Sequence, residues 1–506
     1  MIDISVSLCY TYSNSLVSEQ RKKNRHIAQD MYLRLDEIAA SEESAAASEE
    51  LSGQTGNDSE KGFKVSGKGE RMKKNGRNLI IMSLLAGLLL SGCGSTGEQD
   101  ELQIAEEESK KTVINFFTSI ESEKTASSSL YRELIADYNE QSDIIEIRVS
   151  GLSTAEGYNE ALKNRLDMGK DVDLFVVNAD TVKELDAKGY FYDLSEQPIY
   201  QELNDSARQQ AVVNGTAYCL PTKMTAYGLY VNVGLLKEYG LDSPGNADEF
   251  LHCCKTLKEN GITPIGLNRW YSMTVFAMAR GLYPIYQAEN TDEIIAGLND
   301  GSIKISEYML EGFRFFKELV DGGYYGDNLT VEQVDAIKAN TTDWEDFRDG
   351  KVAFVVFPAG KEEEIERQAP DMEFIMQGIP ALPDGTVSLP AISSRICVNA
   401  KGAHVKESLE VLEYLTINKK KELNRGTEGL MPVFKSEEFE LNPNLKQIYD
   451  DACSPGQIPI EDMRLCFDYW GTIRLLCLDI IGGAAPEEAA AEYDRIQLEA
   501  AASKAK

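Results

Sequence analysis

Short apolar runs alternate with segments of helical period from about residue 113 onward. The runs at 113–117, 144–149 and 173–177 are rich in β-branched and aromatic residues, the pattern of buried strands. Between them, 130–138 and 158–166 carry apolar side chains at helical spacing. This alternation predicts a mainly parallel α/β sheet, in which ligands bind beyond the carboxyl ends of the strands.

The same criteria extend the prediction toward the end of the chain. Helices are predicted over 182–188, 233–239, 247–260, 308–321, 407–416 and 489–500, and strands over 227–232, 351–357 and 391–399. Neither a repeat nor a Gly-rich phosphate-binding loop occurs in the sequence.

A different pattern begins at Met72. Two lysines and an arginine follow this residue closely, and then comes an apolar run over 79–90 that ends in Leu-Ser-Gly-Cys. The run of about 12 residues is too short to cross a hydrocarbon core of roughly 30 Å. We therefore predict a secretory signal peptide over 72–92. Its last residues resemble a bacterial lipobox, so Cys93 is the expected lipidation site. A short buried helix is the competing interpretation.

Residues 1–71 precede this predicted signal peptide, although a signal peptide is expected at the N-terminus. The segment 42–69 is rich in Ser, Ala, Gly and Glu and lacks the apolar content of a core. We expect translation to start at Met72, so that residues 1–71 result from a wrongly assigned gene start or form a disordered extension. A cytoplasmic N-terminal extension is the alternative. The polar, acidic segment 93–110 is expected to be a flexible tether.

Charge divides the chain in the same place. The 506 residues carry a formal net charge of −32, whereas residues 1–92 are balanced, with 12 basic and 12 acidic side chains. The excess of acid therefore lies in the part expected to be exported, which is long enough for two core-forming lobes. Such an acidic surface argues against nucleic acid or anionic lipid as a partner.

Metal-binding and nucleophilic residue patterns are absent from the sequence. Seven of the nine cysteines follow Cys93, with no CxxC spacing, and several lie in apolar contexts typical of small buried side chains. The three histidines show no HxxH or HExxH spacing. We expect no metal, no cofactor and no catalytic residue.

Four sequence stretches, in order, carry a family resemblance. They are LKNRLDMGKDVDLFVV at 162–177, NGTAYCLPT at 214–222, GLYVNVGLL at 228–236 and FRDGKVAF at 347–354. Over roughly residues 111–500 the chain resembles the family 1 extracellular solute-binding proteins, the sugar-binding lipoproteins of bacterial ABC importers.

The resemblance implies an α/β, two-lobe fold of the periplasmic-binding-protein type II, with strands that cross between the lobes and a hinge that closes them on a ligand. The expected crossings lie near 217–222, 380–383 and 427–432. The expected lobes are 111–220 plus 384–428 for lobe 1 and 221–383 plus 429–506 for lobe 2.

The implied function is capture of a carbohydrate, with an oligosaccharide as the expected ligand, and its delivery to the permease of an ABC importer. The protein is expected to be a monomer, held by lipid on Cys93 at the extracellular face of the cytoplasmic membrane, without catalysis. The alternatives are a peptide or polyamine ligand, a ligand-sensing subunit for a membrane kinase, and a secreted glycoside hydrolase. A hydrolase would need two carboxylates about 5–10 Å apart, and no motif marks such a pair.

A sugar site needs aromatic platforms and fixed polar groups. Trp270 and Tyr271 lie in a stretch of little periodicity and are predicted as loop aromatics. Trp470 lies in the last third, where the family often stacks a sugar. Core positions remain an equal alternative for Trp270 and Trp470, whereas Trp344 begins an amphipathic segment and is expected in the core.

Polar candidates follow the predicted strands and the first crossing. Asn178 and Asp180 come directly after the third strand and are predicted to contact the ligand, with a helix cap as the alternative role of Asp180. Thr222 and Lys223 are predicted to face the cleft, as is Tyr227 a few residues further on. Arg395 is predicted to clamp a hydroxyl pair or an acidic sugar, with an ordinary surface arginine as the alternative.

Overall fold

The structure of the protein is a computed structural model. It describes residues 111–118, 126–152, 155–177, 179–213, 215–268, 271–337, 342–419, 431–435, 441–454 and 456–504. The predicted signal peptide and tether, Cys93 and residues 1–71 lie outside the described residues, as do Asn178 and Trp270.

The strands are numbered in chain order. They are β1 (Thr112–Phe117), β2 (Ile145–Ser150), β3 (Leu174–Val177), β4 (Val212–Val213), β5 (Thr216–Ala217), β6 (Leu220–Asn232), β7 (Thr263–Ile265), β8 (Val352–Pro358), β9 (Phe374–Gln377) and β10 (Leu389–Val398).

The helices of the first half are α1 (Ala126–Gln141), α2 (Ala155–Asp167), α3 (Ala179–Ala187), α4 (Pro198–Gln201), α5 (Asp205–Gln209), α6 (Val233–Glu238), α7 (Ala247–Glu259) and α8 (Tyr271–Gln287). The later helices are α9 (Thr291–Asp300), α10 (Ser306–Asp321), α11 (Val331–Asp335), α12 (Thr342–Arg348), α13 (Glu362–Gln368), α14 (Val405–Leu415), α15 (Lys446–Cys453), α16 (Trp470–Ile481) and α17 (Pro486–Lys504). Short 3₁₀ turns occupy Ile417–Lys419 and Pro443–Leu445.

One mixed sheet runs through the described residues in the order β2-β1-β3-β10-β6-β8-β7, with β9 paired to β6. The pairs β1/β2, β1/β3 and β7/β8 are parallel, whereas β10 and β6 are antiparallel to all their described partners. The prediction of a mainly parallel sheet was therefore wrong for its centre, because two long strands run back through it.

Those two strands connect the two ends of the sheet. The first half of β6 pairs with β10, and the pairing passes to β8 at Tyr227, which is opposite both Leu389 and Pro358. The last residues of β10 also pair with β3, where Arg395 is opposite Val177. Register shifts between Ile392 and Arg395 mark the stretch of β10 where pairing with β3 joins the pairing with β6.

Two hydrophobic cores lie on either side of this crossing. The first contains side chains of β1, β3 and α14, among them Phe116, Leu174 and Leu412. The second contains side chains of α7, α8, α10 and α16, such as Phe276. Alternate residues of β6 serve the two cores, as Tyr230 packs in the first and Leu229 in the second. The division of the chain into lobes at stated boundaries stays a prediction.

Burial also answers two expectations about side chains. Trp344 is only 4% exposed, which confirms its place in a core. Of the seven described cysteines, five are buried and two half-buried, and all are free thiols. Among the described residues, no helix combines the length and apolarity that a membrane crossing requires.

Candidate functional site: an aromatic cluster at the strand crossing

Three aromatic rings meet where β6 changes partners, and we call Tyr227, Tyr271 and Trp470 the aromatic cluster. The ring centroid of Tyr227 lies 5.1 Å from that of Tyr271 and 5.9 Å from that of Trp470. Tyr271 and Trp470 are 6.2 Å apart, and all three rings are tilted relative to one another. All three residues are half-buried.

Each ring comes from a different element. Tyr227 lies on β6 at the crossing, Tyr271 is the first residue of α8 and Trp470 the first residue of α16. The prediction that Tyr271 lies in a loop was therefore wrong. The residues that follow it, from Ser272 to Ala279, are buried without interruption, so α8 has no polar face in this stretch to give it a helical period.

A second, buried layer of aromatic rings supports the cluster. The Phe357 ring, 5% exposed, lies 5.6 Å from the Tyr271 ring and 5.6 Å from the Trp344 ring. Trp344 in turn packs edge-on against Tyr230 at 5.5 Å. Packing against Phe357, which Trp344 supports in turn, restricts the orientation of the Tyr271 ring.

Asn268 fixes the start of α8 from the loop after β7. Its fully buried side-chain oxygen accepts hydrogen bonds from the backbone N–H groups of Tyr271 at 2.6 Å and Ser272 at 2.9 Å. Its amide nitrogen donates to the Asp343 carboxylate at 2.8 Å and to the Val356 carbonyl at 3.1 Å. The oxygen is thereby aimed at the helix and the nitrogen at the core.

Asp343 is a buried carboxyl group on α12, with only 3% of its surface exposed. Burial raises its pKa from 3.8 to about 7, although the hydrogen bond from Asn268 works in the opposite direction. Its second oxygen, Oδ1, is buried and has no hydrogen-bond partner among the described residues. These hydrogen bonds compensate the ionised form of Asp343 only in part for its burial.

The remaining polar candidates lie further along β6 and β10. Thr222 is 6% exposed and its hydroxyl lies beside that of the buried Tyr131, so it is not part of the aromatic cluster. Lys223 lies on β6, but its side chain is outside the described part of the structure. Asp180 lies in α3, one residue after the helix begins at Ala179, and its side chain is likewise undescribed.

Arg395 is 2% exposed, which contradicts the alternative of an ordinary surface arginine. Its Nε has no hydrogen-bond partner among the described residues. Arg395 is opposite Pro221 on β6, and the strand rises by about 3.3 Å per residue, so its backbone lies about 20 Å along β6 from that of Tyr227. The structure brings the aromatic candidates together and leaves Arg395 at a distance from them.

Three residues of this region were missed at the level of sequence. Asn268 follows β7 closely, so the strand-end rule that selected Asn178 would have found it too. Asp343 and Phe357 give no such signal, because their roles depend on contacts with residues far away in the chain. Among the described residues, no group of three His, Cys, Asp or Glu side chains is placed to hold a metal ion.

Two cores joined by strands that cross between them, with aromatic rings at the crossing, define a two-lobe binding protein of type II fold. The family model for bacterial extracellular solute-binding proteins matches residues 122–422. The chain belongs to this family, as its four sequence stretches suggested.

A curated relative is the multiple sugar-binding protein of Streptococcus mutans serotype c. It is 21% identical over 346 residues, which cover 66% of this chain and 76% of the relative.

Two solved structures share the fold. The apo form of RafE from Streptococcus pneumoniae superposes with a TM-score of 0.64 at 16% identity, over 77% of this chain and 98% of that one. RafE in complex with raffinose gives 0.54 at 18% identity, over 77% and 100%. At these identities the likeness concerns the fold.

Proposed function

We propose that the protein captures an oligosaccharide outside the cell and delivers it to the permease of an ABC importer. The aromatic cluster carries this proposal. Three half-buried rings at tilted angles, supported from behind by Phe357, fit a ligand that has apolar faces and a polar edge. Sugar rings have that character, because their axial C–H groups form apolar faces and their hydroxyls project from the rim.

The relatives support the same ligand class. The relative from Streptococcus mutans is named for binding multiple sugars, and RafE is solved with raffinose. The distance of about 20 Å along β6 between the aromatic cluster and Arg395 favours a ligand of several sugar units if both take part. In this proposal Arg395, Thr222, Lys223, Asn178 and Asp180 remain candidates for contacts with hydroxyl groups.

Delivery requires the protein to stay near its permease. In this proposal the signal peptide over 72–92 directs export, lipid on Cys93 holds the protein at the extracellular face of the membrane, and 93–110 is the tether. The lobes, 111–220 plus 384–428 and 221–383 plus 429–506, close on the sugar by bending at the crossing strands. The protein itself catalyses no reaction and works as a monomer.

Thermal unfolding of the full-length protein with mono- and oligosaccharides, peptides and polyamines tests the ligand class. A ligand at about 100 times its Kd stabilises the folded state by roughly 2.7 kcal/mol, which is a readily measured shift. We expect a selective shift with one class of oligosaccharide. A shift with peptides or polyamines alone would be consistent with the fold but would contradict a sugar as the ligand.

Variants of the cluster locate the site. Trp470→Ala and Tyr271→Ala should each abolish most of the shift, because each removes a stacking surface. Tyr308→Ala is the matched control, since Tyr308 is also a half-buried tyrosine but lies on α10 outside the cluster. If the control loses the sugar response as fully as the cluster variants, the site lies elsewhere.

A further inference from the structure

Two buried polar side chains outside the aromatic cluster, those of Asn268 and Asp343, hold one of its residues in place. Asn268 bonds the first backbone N–H groups of α8, including that of Tyr271, and Asp343 bonds Asn268 from the opposite side. This chain of contacts links α12 to one ring of the cluster. Asp343 itself is 3% exposed, so it is not placed to present its carboxylate to a ligand in the cleft.

The Asn268 amide has one orientation in which both its oxygen and its nitrogen meet a suitable partner. A side-chain amide offers an acceptor oxygen and a two-donor nitrogen, which look alike in shape but not in chemistry. Rotation by half a turn would point the nitrogen at the N–H groups of Tyr271 and Ser272 and the oxygen at Asp343, opposing donor to donor and acceptor to acceptor. The carboxylate, together with the Val356 carbonyl, therefore selects the orientation in which the amide oxygen caps α8.

We propose that Asp343 is a positioning residue of the ligand site, which orients the Asn268 amide and thereby holds the first turn of α8 with Tyr271 in the aromatic cluster. This inference rests on the proposed function for its effect on sugar affinity. The placement of Tyr271 is a property of the ligand-free protein as well. Misplacing a residue of a binding site by a small distance weakens binding even when the residue itself is unchanged.

The affinity test compares two substitutions at one position in the full-length protein. Asp343→Ala removes the acceptor for the Asn268 amide, whereas D343N keeps an acceptor oxygen in its place. We expect D343A to weaken sugar binding about tenfold or more, the effect of losing one hydrogen bond to a charged group, and D343N to stay within about threefold of the wild type. Isothermal titration calorimetry with the sugar found in the thermal screen measures both.

A control of equal burial separates positioning from general loss of packing. Gln497 on α17 is fully buried and donates 2.7 Å hydrogen bonds to the carbonyls of Leu298 and Ile303, away from the cluster. Gln497→Ala should lower stability and leave sugar affinity unchanged. If D343A does not unfold cooperatively, Asp343→Ser repeats the truncation with a smaller loss of polar contacts.

Hydrogen exchange of the ligand-free protein tests the same inference without a sugar. In D343A the amides at the start of α8 should exchange faster relative to those of α7, while D343N and Q497A keep the wild-type ratio. Unchanged affinity or unchanged exchange in D343A would overturn the role of Asp343, as would a D343N variant as weak as D343A. If the wild type binds no sugar but the exchange result holds, the proposed function is wrong and the positioning of Tyr271 by Asp343 stands.

Discussion

A carboxyl group that folding removes from water makes stability depend on pH, and Asp343 is such a group. Its pKa is raised from 3.8 to about 7 by burial, so between these values the folded protein keeps a proton that the unfolded chain has released. Its contribution to stability is fully present below about pH 4 and is lost as the pH rises through about 7. The shift corresponds to about 4 kcal/mol at most.

Urea unfolding of the wild type and D343N at pH 5 and pH 8 measures this contribution. The wild type should lose more stability between the two values than D343N, because asparagine at this position does not titrate. The difference between the two proteins cancels the other titrating groups. An equal loss in both would show that Asp343 ionises in the folded protein as it does in water.

Single residues also show how much of the candidate site could be predicted from the sequence. Tyr227, Tyr271 and Trp470 were selected as aromatic candidates, and the fold brings their rings within 6.2 Å of one another. Asp343 and Phe357 were not selected, since a buried acid and a strand phenylalanine acquire a role only through distant contacts. Their partners, Asn268 and Tyr271, lie more than 70 positions away in the chain.

At the scale of elements, β6 is packed too tightly at the crossing to accept a side chain next to Tyr227. A Cβ on Gly228 would lie 2.5 Å from the Gln377 carbonyl oxygen and 2.7 Å from Ile448 Cδ1. Gly228→Ala should therefore destabilise the protein by about 1–3 kcal/mol, because β9 and α15 must both move away from β6 to make room for the methyl group. Urea unfolding checks the stability, and sugar titration checks the displacement of Tyr227.

Gly385 provides the matched control for that substitution. A Cβ on Gly385 would meet no atom within 4 Å, and its backbone does not adopt the left-handed conformation. Gly385→Ala should leave stability unchanged or raise it slightly, because it reduces the freedom of the unfolded chain. Equal effects of the two substitutions would contradict the packing at the crossing.

Elements were predictable where one face or a dense β-branched run dominates the sequence. The strand expected at 351–357 is found as Val352–Pro358, and the helix expected at 308–321 as Ser306–Asp321. Helix α8 was missed because its first turns are buried on all sides and show no polar period. The antiparallel course of β10 was missed too, because strand direction depends on the crossing between lobes and not on local composition.

At the scale of the whole molecule, the formal charge of −32 opposes the compact state. Screening shortens the reach of this repulsion from about 30 Å at 0.01 M salt to about 8 Å at 0.15 M. The urea midpoint should therefore rise with sodium chloride over this range. Potassium chloride should give the same rise, because screening depends on ionic strength, and a flat or falling midpoint would contradict the expectation.

The position of β10 in the sheet has a consequence for how the chain matures. β10 lies between β3 and β6, and the paired residues Val177 and Arg395 are 218 positions apart. While the chain folds, β3 therefore presents an unpaired edge until β10 has paired with it, and an open edge favours pairing with other chains. The first half of the chain therefore cannot complete its own sheet, and its exposure to aggregation lasts as long as β10 is missing from its place.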